Sequence, residues 1–334
     1  MKNLAIVGIG NWGKNLLRNF YTHSAGRLVL ACDADEKKLA SARENYPGLE
    51  TTTSFDDILA REDIGAVIIA TPPASHCELS LKAMDSGRDV FVEKPLALSV
   101  SDGEKMVQKA KEKKAILMVG HIMVYHPATL YLKKLVDDNT LGDIYYLYSK
   151  RVNLGKVRDI ENSLWSFAPH DISIILYLMQ KDPIKVTATG SSYLQKGIED
   201  VAFMNMHFDD GTMAHVHVSW LDPHKKRNLT VVGSKKMVVF DDTAANEKIM
   251  IYDKGVVQNQ DYDTYGEYLS LRTGDILIPK IQSGEPLGSE CKHFLNALDK
   301  REKPRSDVVE GLRVLKVLDA AQKSLDTGGT PVNL

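Results

Sequence analysis

Gly8-Ile9-Gly10-Asn11-Trp12-Gly13 follows the apolar run Leu4-Ala5-Ile6-Val7 and precedes a helical pattern from Lys14 to Tyr21. This is G-x-G-x-x-G between a strand and a helix, the setting in which the motif binds a dinucleotide. Gly8 permits the turn, Gly10 lets the backbone approach a pyrophosphate, and Gly13 lets the helix pack close to the strand. The helix start offers N–H groups and a positive dipole end to the phosphates. Ile9, Asn11 and Trp12 complete this cofactor loop. Asp33 ends a second strand-like run, Arg27 to Cys32, twenty residues after Gly13. A carboxylate there would accept from the ribose 2′-hydroxyl and repel a 2′-phosphate, so NAD is expected over NADP. Lys37 and Lys38 are near enough to keep NADP as the alternative.

Ligands of an open α/β sheet lie beyond the carboxyl ends of its strands. Two further segments arrive there. Ala70-Thr71-Pro72-Pro73-Ala74-Ser75-His76 gives Thr71, Pro72 and His76 as cofactor-side contacts, His76 having a plain helix-start reading beside it. Phe91-Val92-Glu93-Lys94-Pro95 ends a buried strand, with Glu93 and Lys94 on the cofactor side. A buried unpaired ammonium is costly, so Lys94 is either paired with an acid such as Glu93 or put to use. Its use would be to bind a substrate hydroxyl and stabilise an alkoxide as hydride leaves.

A third segment runs from Arg151 to Asp171. At helical spacing Ser166, His170, Ser173 and Tyr177 share a polar stripe, and Trp165, Ile172, Ile175, Leu176 and Met179 an apolar one. A helix this apolar is buried, so its polar stripe must line a cavity or meet polar partners. His170 titrates in the range of a general base. Pro169 is placed near the first turn, where proline is tolerated. Arg151, Lys156 and Arg158 form a basic cluster just upstream, read either as a clamp for an anionic substrate such as a diphosphate or as a solvated loop face. Asn162 and Tyr125 complete the substrate-side candidates. His215 and His217 share a strand face, but no acid or cysteine at ligand spacing accompanies them, and no metal is expected.

The elements that must position these groups change character along the chain. Up to about residue 120, strands at 3–8, 27–33, 65–71, 89–92 and 115–120 alternate with helices at 11–21, 35–45, 54–60, 75–86 and 100–113, the pattern of a doubly wound parallel sheet. Beyond about residue 122, strands at 145–152, 184–194, 199–208, 212–220, 227–233 and 236–241 follow one another with turn punctuation, predicting a large open antiparallel sheet. Residues 253–285 read as a polar, irregular arm, and helical periodicity returns at 290–298 and 308–324. The expected division is a dinucleotide-binding domain over 1–121 and a substrate-binding and oligomerisation α+β domain over 122–334.

The helix near 163–180 can cover only one face of that second sheet. Strand 201–208 nevertheless alternates Ala202, Met204, Met206 and Phe208 with Val201, Phe203, Asn205 and His207. Apolar groups on both faces predict a homodimer or homotetramer through the uncovered face. A formal net charge of −2 argues against nucleic acid as a partner. No stretch approaches the ~20 apolar residues of a membrane span. The three cysteines are scattered and read as buried thiols. With a chain start that leads directly into a strand, the expected location is the cytoplasm.

The glycine loop, Glu93-Lys94-Pro95, Gly120-His121, the His170 helix and Glu310-Gly-Leu-Arg313 together resemble the Gfo/Idh/MocA oxidoreductases over nearly the whole chain. The resemblance implies a Rossmann domain, a C-terminal α/β domain with an open sheet, NAD(P)-dependent hydride transfer on sugars or polyols, and Lys94 with His170 as the catalytic pair. Tyr125-His-Pro-Ala128, Asn153-Leu-Gly-Lys-Val-Arg158 and Asn162 to Asp171 are similar to the nucleotide-sugar 3-dehydrogenases, which oxidise the C3 hydroxyl of UDP-N-acetylglucosamine or its uronic acid. One departure matters: many members carry Asp where this chain has Ser166, so the group that orients His170 is not given by the resemblance. The alternatives are a free-sugar or inositol dehydrogenase, a nucleotide-sugar 3-ketoreductase, and an NAD(H)-binding redox sensor without turnover.

Overall fold

The computed structural model describes residues 2–155, 157–159, 161–258, 269–282 and 284–334. In chain order the first elements are β1 (Asn3–Val7), α1 (Gly13–His23), β2 (Leu28–Cys32), α2 (Glu36–Asn45), β3 (Glu50–Thr52), α3 (Phe55–Ala60) and β4 (Ile64–Ile69). Next come α4 (His76–Asp85), β5 (Asp89–Glu93), α5 (Val100–Lys113), β6 (Leu117–Gly120), a 3₁₀ turn (Ile122–Tyr125), α6 (Pro127–Asp137) and β7 (Ile144–Val152). They are followed by α7 (Ser163–Met179), β8 (Lys185–Ser191), β9 (Val201–His207), β10 (Met213–Ser219), β11 (Lys226–Gly233) and β12 (Met237–Asp241). The last are β13 (Ile249–Gln258), β14 (Leu269–Leu277), α8 (Pro286–Lys300), α9 (Val308–Asp326) and β15 (Val332–Asn333).

The chain divides into two compact units, Met1–Tyr125 with Gly284–Lys316, and His126–Ser283 with Val317–Leu334. The first holds a parallel sheet ordered β3-β2-β1-β4-β5-β6. Helices shield both faces of such a sheet, which is why β4, Ile-Gly-Ala-Val-Ile-Ile, is apolar and buried at every position. The strand order reverses between β1 and β4, the place where doubly wound sheets open to a ligand. Strand β3, three residues of Glu-Thr-Thr, is too short to show a period and was not expected.

The expected 122–334 domain is interrupted. Residues 284–316 belong to the first unit, because Phe294 of α8 packs edge-on against Phe20 and Phe91, with ring centroids 6.0 and 5.6 Å apart. Phe20 and Phe91 meet each other at 5.6 Å, so three segments remote in sequence share one aromatic core. Cys32 and Cys291 are buried free thiols, and burial pushes Cys32 up to about 11; Cys77, expected to be buried as well, is only half-buried.

The second unit is built on a sheet ordered β14-β13-β12-β11-β7-β10-β9-β8-β15. It is mixed. β10 runs parallel to β7, with His215 beside Tyr148, because α7, β8 and β9 intervene between the two and supply a crossover. The other pairings are antiparallel, as expected. The irregular arm expected at 253–285 is corrected in part: β13 and β14 pair as a hairpin, with Val256 opposite Leu271. The polar Asp253-Lys254-Gly255 stretch hid β13, and residues 259–268 lie outside the described residues.

Helix α7 packs on β7, β9 and β10 and buries Ile172, Ile175, Leu176 and Leu178. Ala202, Met204, Met206, Ala214, Val216 and Val218 are buried on one set of strand positions. Tyr146, Tyr148, Phe203 and Met213 are exposed on the alternate set. In β9 and β10 the alternation of residue types separated the two sets, and burial shows which of them faces the core.

Candidate active site and cofactor loop

The first unit brings the glycine loop to the carboxyl ends of β1 and β4. Gly8 has φ +84°, and a Cβ there would stand 2.7–2.8 Å from the backbone of Ala70 and Thr71. At Gly13 a Cβ would come within 1.9 Å of the Gly8 carbonyl, so α1 can start only with glycine there. Space above Gly10 is open, with no atom within 4 Å of a Cβ placed on it. Helix α1 starts with no acid in its first turn and no side-chain cap at Trp12. Lys14 N and Asn15 N already donate to the Gly10 and Trp12 carbonyls, so what the helix start offers an anion such as a dinucleotide pyrophosphate is the positive end of its dipole, with no acid beside it to oppose the charge.

Asp33 stands at the end of β2 and is buried. Its Oδ2 accepts from Ile9 N (2.8 Å), and Oδ1 accepts from Asp35 N (2.9 Å) and Lys38 Nζ (3.1 Å). Burial acts to raise its pKa, and these bonds outweigh it, holding the carboxyl below its ordinary value. Lys38 is therefore engaged by Asp33. The bond to Ile9 ties the glycine loop to β2, a link that residue spacing did not suggest.

Glu93 closes β5 and is buried. Its Oε1 accepts from the Trp12 indole (2.5 Å), and Oε2 accepts from Lys94 N (3.1 Å). Burial pushes Glu93 up to about 7, against the pull of Trp12 and Lys94. Lys94 follows it, half-buried, at the sheet's carboxyl end. Thr71 and Pro72 sit just past β4, where Thr71 Oγ1 is 2.7 Å from Ser75 Oγ.

His76 is not a cofactor contact. Its ring is wholly buried, with Nδ1 2.8 Å from the Pro95 carbonyl and Nε2 2.9 Å from that of Thr71. It fastens the loop after β4 to the loop after β5. Tyr125 is likewise no pocket wall. It is 1% exposed, its hydroxyl lies 2.9 Å from Ser306 Oγ, and the Arg305 guanidinium lies over its ring at 5.0 Å. Two ionisable groups were missed. His121 is buried, and desolvation, helped by Lys94, holds it down to about 3. Glu290 of α8 is wholly buried with neither oxygen hydrogen-bonded among the described residues; burial, helped by Glu93, holds it far above the carboxylate range.

The second unit carries the other candidates on and around α7. His170 is half-buried and Ser166 buried on this helix. Asn162 caps the helix. Its Oδ1 accepts from Trp165 N (3.0 Å), and its amide donates to Glu199 (2.6 Å) and Gln322 (2.9 Å). Its polar atoms are all committed, so the substrate role expected for it is replaced by a capping one. The cap starts α7 at Ser163, which leaves Pro169 inside the helix and deprives the Trp165 carbonyl of its i+4 donor.

The basic cluster is not assembled as expected. Arg151 is buried and donates to Asp171 at 2.6 Å, so it neutralises an interior acid instead of facing a diphosphate. Asp171 is thereby spent as well. Arg158 lies on the surface, paired with Glu161 at 2.7 Å. Lys156 lies outside the described residues. His215 bonds Asn205 through Nδ1 at 2.8 Å, and His217 lies flat on Phe203 at 4.4 Å. Among the described residues no group of three metal-ligating side chains converges, and no helix is long and apolar enough to cross a membrane.

A parallel sheet opening at β1/β4 with a glycine loop and an acid ending β2 defines a dinucleotide-binding oxidoreductase fold. The oxidoreductase-family model with an NAD-binding Rossmann fold, Gfo/Idh/MocA, matches residues 2–121, and the Gfo/Idh/MocA C-terminal domain model matches residues 129–239. The chain belongs to the Gfo/Idh/MocA oxidoreductase family.

A 2,7-anhydro-N-acetylneuraminate hydratase of Mediterraneibacter gnavus is 32% identical over 63% of this chain and 59% of its own length. A UDP-N-acetylglucosamine 3-dehydrogenase of Acidithiobacillus ferrooxidans is 27% identical over 93% of both chains. The solved structure of the Acidithiobacillus enzyme superposes with a TM-score of 0.82, covering 97% of each chain at 22% identity, which shows a shared fold. The chain's matches to two of its curated relatives span only about three-fifths of their lengths, 59% and 61%.

Proposed function

We propose that this protein is an NAD-dependent dehydrogenase that oxidises a sugar hydroxyl, with C3 of a UDP-N-acetylglucosamine-type nucleotide sugar as its substrate. The observation that carries the redox part is the glycine loop bonded to Asp33, with Lys94 at the end of β5 in the same unit. The Acidithiobacillus relative, alike over nearly its whole length, supports the substrate. When bound, the nicotinamide supplies a hydride acceptor. Gly10 and the α1 N-terminus receive the pyrophosphate. Asp33 accepts from the adenosine ribose and disfavours a 2′-phosphate. Lys94 donates to the substrate oxygen and steadies its developing charge, and His170 takes the hydroxyl proton. Arg158, exposed and paired with Glu161, is the described member of the basic cluster that an anionic substrate can reach by exchanging that partner. The open face of the second sheet, bearing Tyr146, Tyr148 and Phe203, is assigned to a second copy of the chain, giving a cytoplasmic homodimer or homotetramer.

One observation favours a second reading. With Arg151 committed to Asp171, the diphosphate clamp loses a member, which suits a free sugar or inositol as substrate. A screen of UDP-sugars and free polyols for NAD⁺ reduction separates the two. UDP-sugar turnover that falls at least tenfold in Arg158→Ala supports the first, and polyol turnover indifferent to that change supports the second. Substrate consumption without net NADH, with 2-oxoglutarate unable to draw out oxidised cofactor, would defeat both.

A further inference from the structure

The glycine loop is held from two sides in the first unit. Asp33 takes the Ile9 N–H at 2.8 Å, and Glu93 takes the Trp12 indole N–H at 2.5 Å, across 81 positions of sequence. Trp12 is otherwise 44% exposed, and no side chain caps α1 beside it. The Glu93 carboxylate is itself fixed. Its second oxygen accepts from Lys94 N, and a Cβ on Gly120 would stand 3.0 Å from its carboxyl carbon and both oxygens, so a side chain there would crowd the carboxylate. A group buried and clamped in this way has no freedom to follow a ligand.

We propose that Glu93 is a positioning residue for the cofactor loop, acting on NAD through Trp12 and not by contact of its own. This rests on the NAD reading above. Two N–H donors on two oxygens suit an ionised carboxylate; a proton on either oxygen must weaken one of the bonds. The ionisable groups around Glu93 are the Lys94 ammonium, which favours its charge, and Glu290 from α8, whose own ionisation burial disfavours. His121, beside Gly120, is also kept neutral by burial. The tether therefore slackens as pH falls through the region near 7.

The test is a double-mutant cycle on NADH affinity, read by NADH fluorescence with the full chain. Trp12→Phe keeps the ring and removes the N–H. Trp12→Phe and Glu93→Ala should each weaken binding roughly tenfold or more. The double variant should bind no worse than the weaker single, because both remove one link. Glu93→Gln, which keeps the shape, replaces Glu93→Ala if the latter does not fold. In wild type, indole emission should titrate near pH 7, and that titration should vanish in both Trp12→Phe and Glu93→Gln. Multiplying fold-changes in the double variant, or unchanged affinity in Trp12→Phe, overturns the proposal. A wild-type chain that binds no NADH at all overturns the cofactor reading instead, a distinguishable result.

Discussion

Asp33 shows how one carboxylate can hold two duties. It fixes the loop through Ile9 and, under the proposed function, accepts from a ribose hydroxyl. Asp33→Ala should therefore do two things at once: narrow the preference for NADH over NADPH and weaken both, by roughly 10- to 100-fold for the lost charged bond. Fluorescence titration with the two cofactors checks it, and a change in preference with no loss of affinity would mean the loop does not need the bond. His170→Asn should lower kcat by ~10²–10⁴ while NADH still binds. Near-normal turnover would remove His170 as the base. Residue types and spacing singled out Gly8, Gly10, Gly13 and Asp33, which the structure gathers at the loop after β1, and Lys94 and His170, whose roles rest on the proposed function. They misassigned His76, Tyr125, Arg151 and Asn162, and for one physical reason. Each looks like a polar group awaiting a ligand, yet each is satisfied by a partner that spacing does not reveal: the Thr71 and Pro95 carbonyls, Ser306, Asp171, and Glu199 with Gln322. Glu290 was passed over for the converse reason, since it sits in a helical pattern where a surface acid would be unremarkable.

At the scale of elements, apart from the unexpected β3, the strands and helices up to residue 120 fell within two or three residues of where periodicity placed them, because continuous apolar runs and glycine turns are local signals, whereas α8 starts four residues earlier than expected. The parallel β7–β10 pairing and the β13–β14 hairpin were not legible, since pairing partners are set by packing between remote segments. Two elements invite tests. Removing the α7 cap with Asn162→Ala should cost about 1 kcal/mol in urea denaturation, and somewhat more because Glu199 loses its donor. On α8, Glu290 contributes only a desolvation cost among the described residues. Glu290→Leu should thus be neutral or stabilising, by up to ~1–3 kcal/mol. A clear loss of stability would show that Glu290 has a partner, such as an interior water, that justifies its place.

For the molecule as a whole, acid stability should reflect two buried groups of opposite sign. His121 binds its proton near 6.5 when unfolded and only near 3 when folded, so the unfolded chain gains a proton between those values and stability falls as pH drops. Glu93 goes from 4.5 unfolded to about 7 folded, so its protonation favours the fold and that stability is lost as pH rises from 4.5 to 7. Each contributes about 1.4 kcal/mol per pH unit where it acts, and between 4.5 and 6.5 they oppose each other. Glu93→Gln should therefore steepen the acid-side decline in urea midpoint, and an unchanged profile would show that Glu93 titrates normally. The assembly assigned to the open sheet face is tested by Phe203→Glu, which should lower the mass found by light scattering to that of one chain. The division of the chain into two units has its own bearing on biosynthesis. Phe20 and Phe91 leave the ribosome long before Phe294, so the first unit must wait, with part of its aromatic centre uncovered, until most of the second unit has been made. A gene fragment stopping at residue 121 should yield aggregate, and adding back α8 in trans should rescue it.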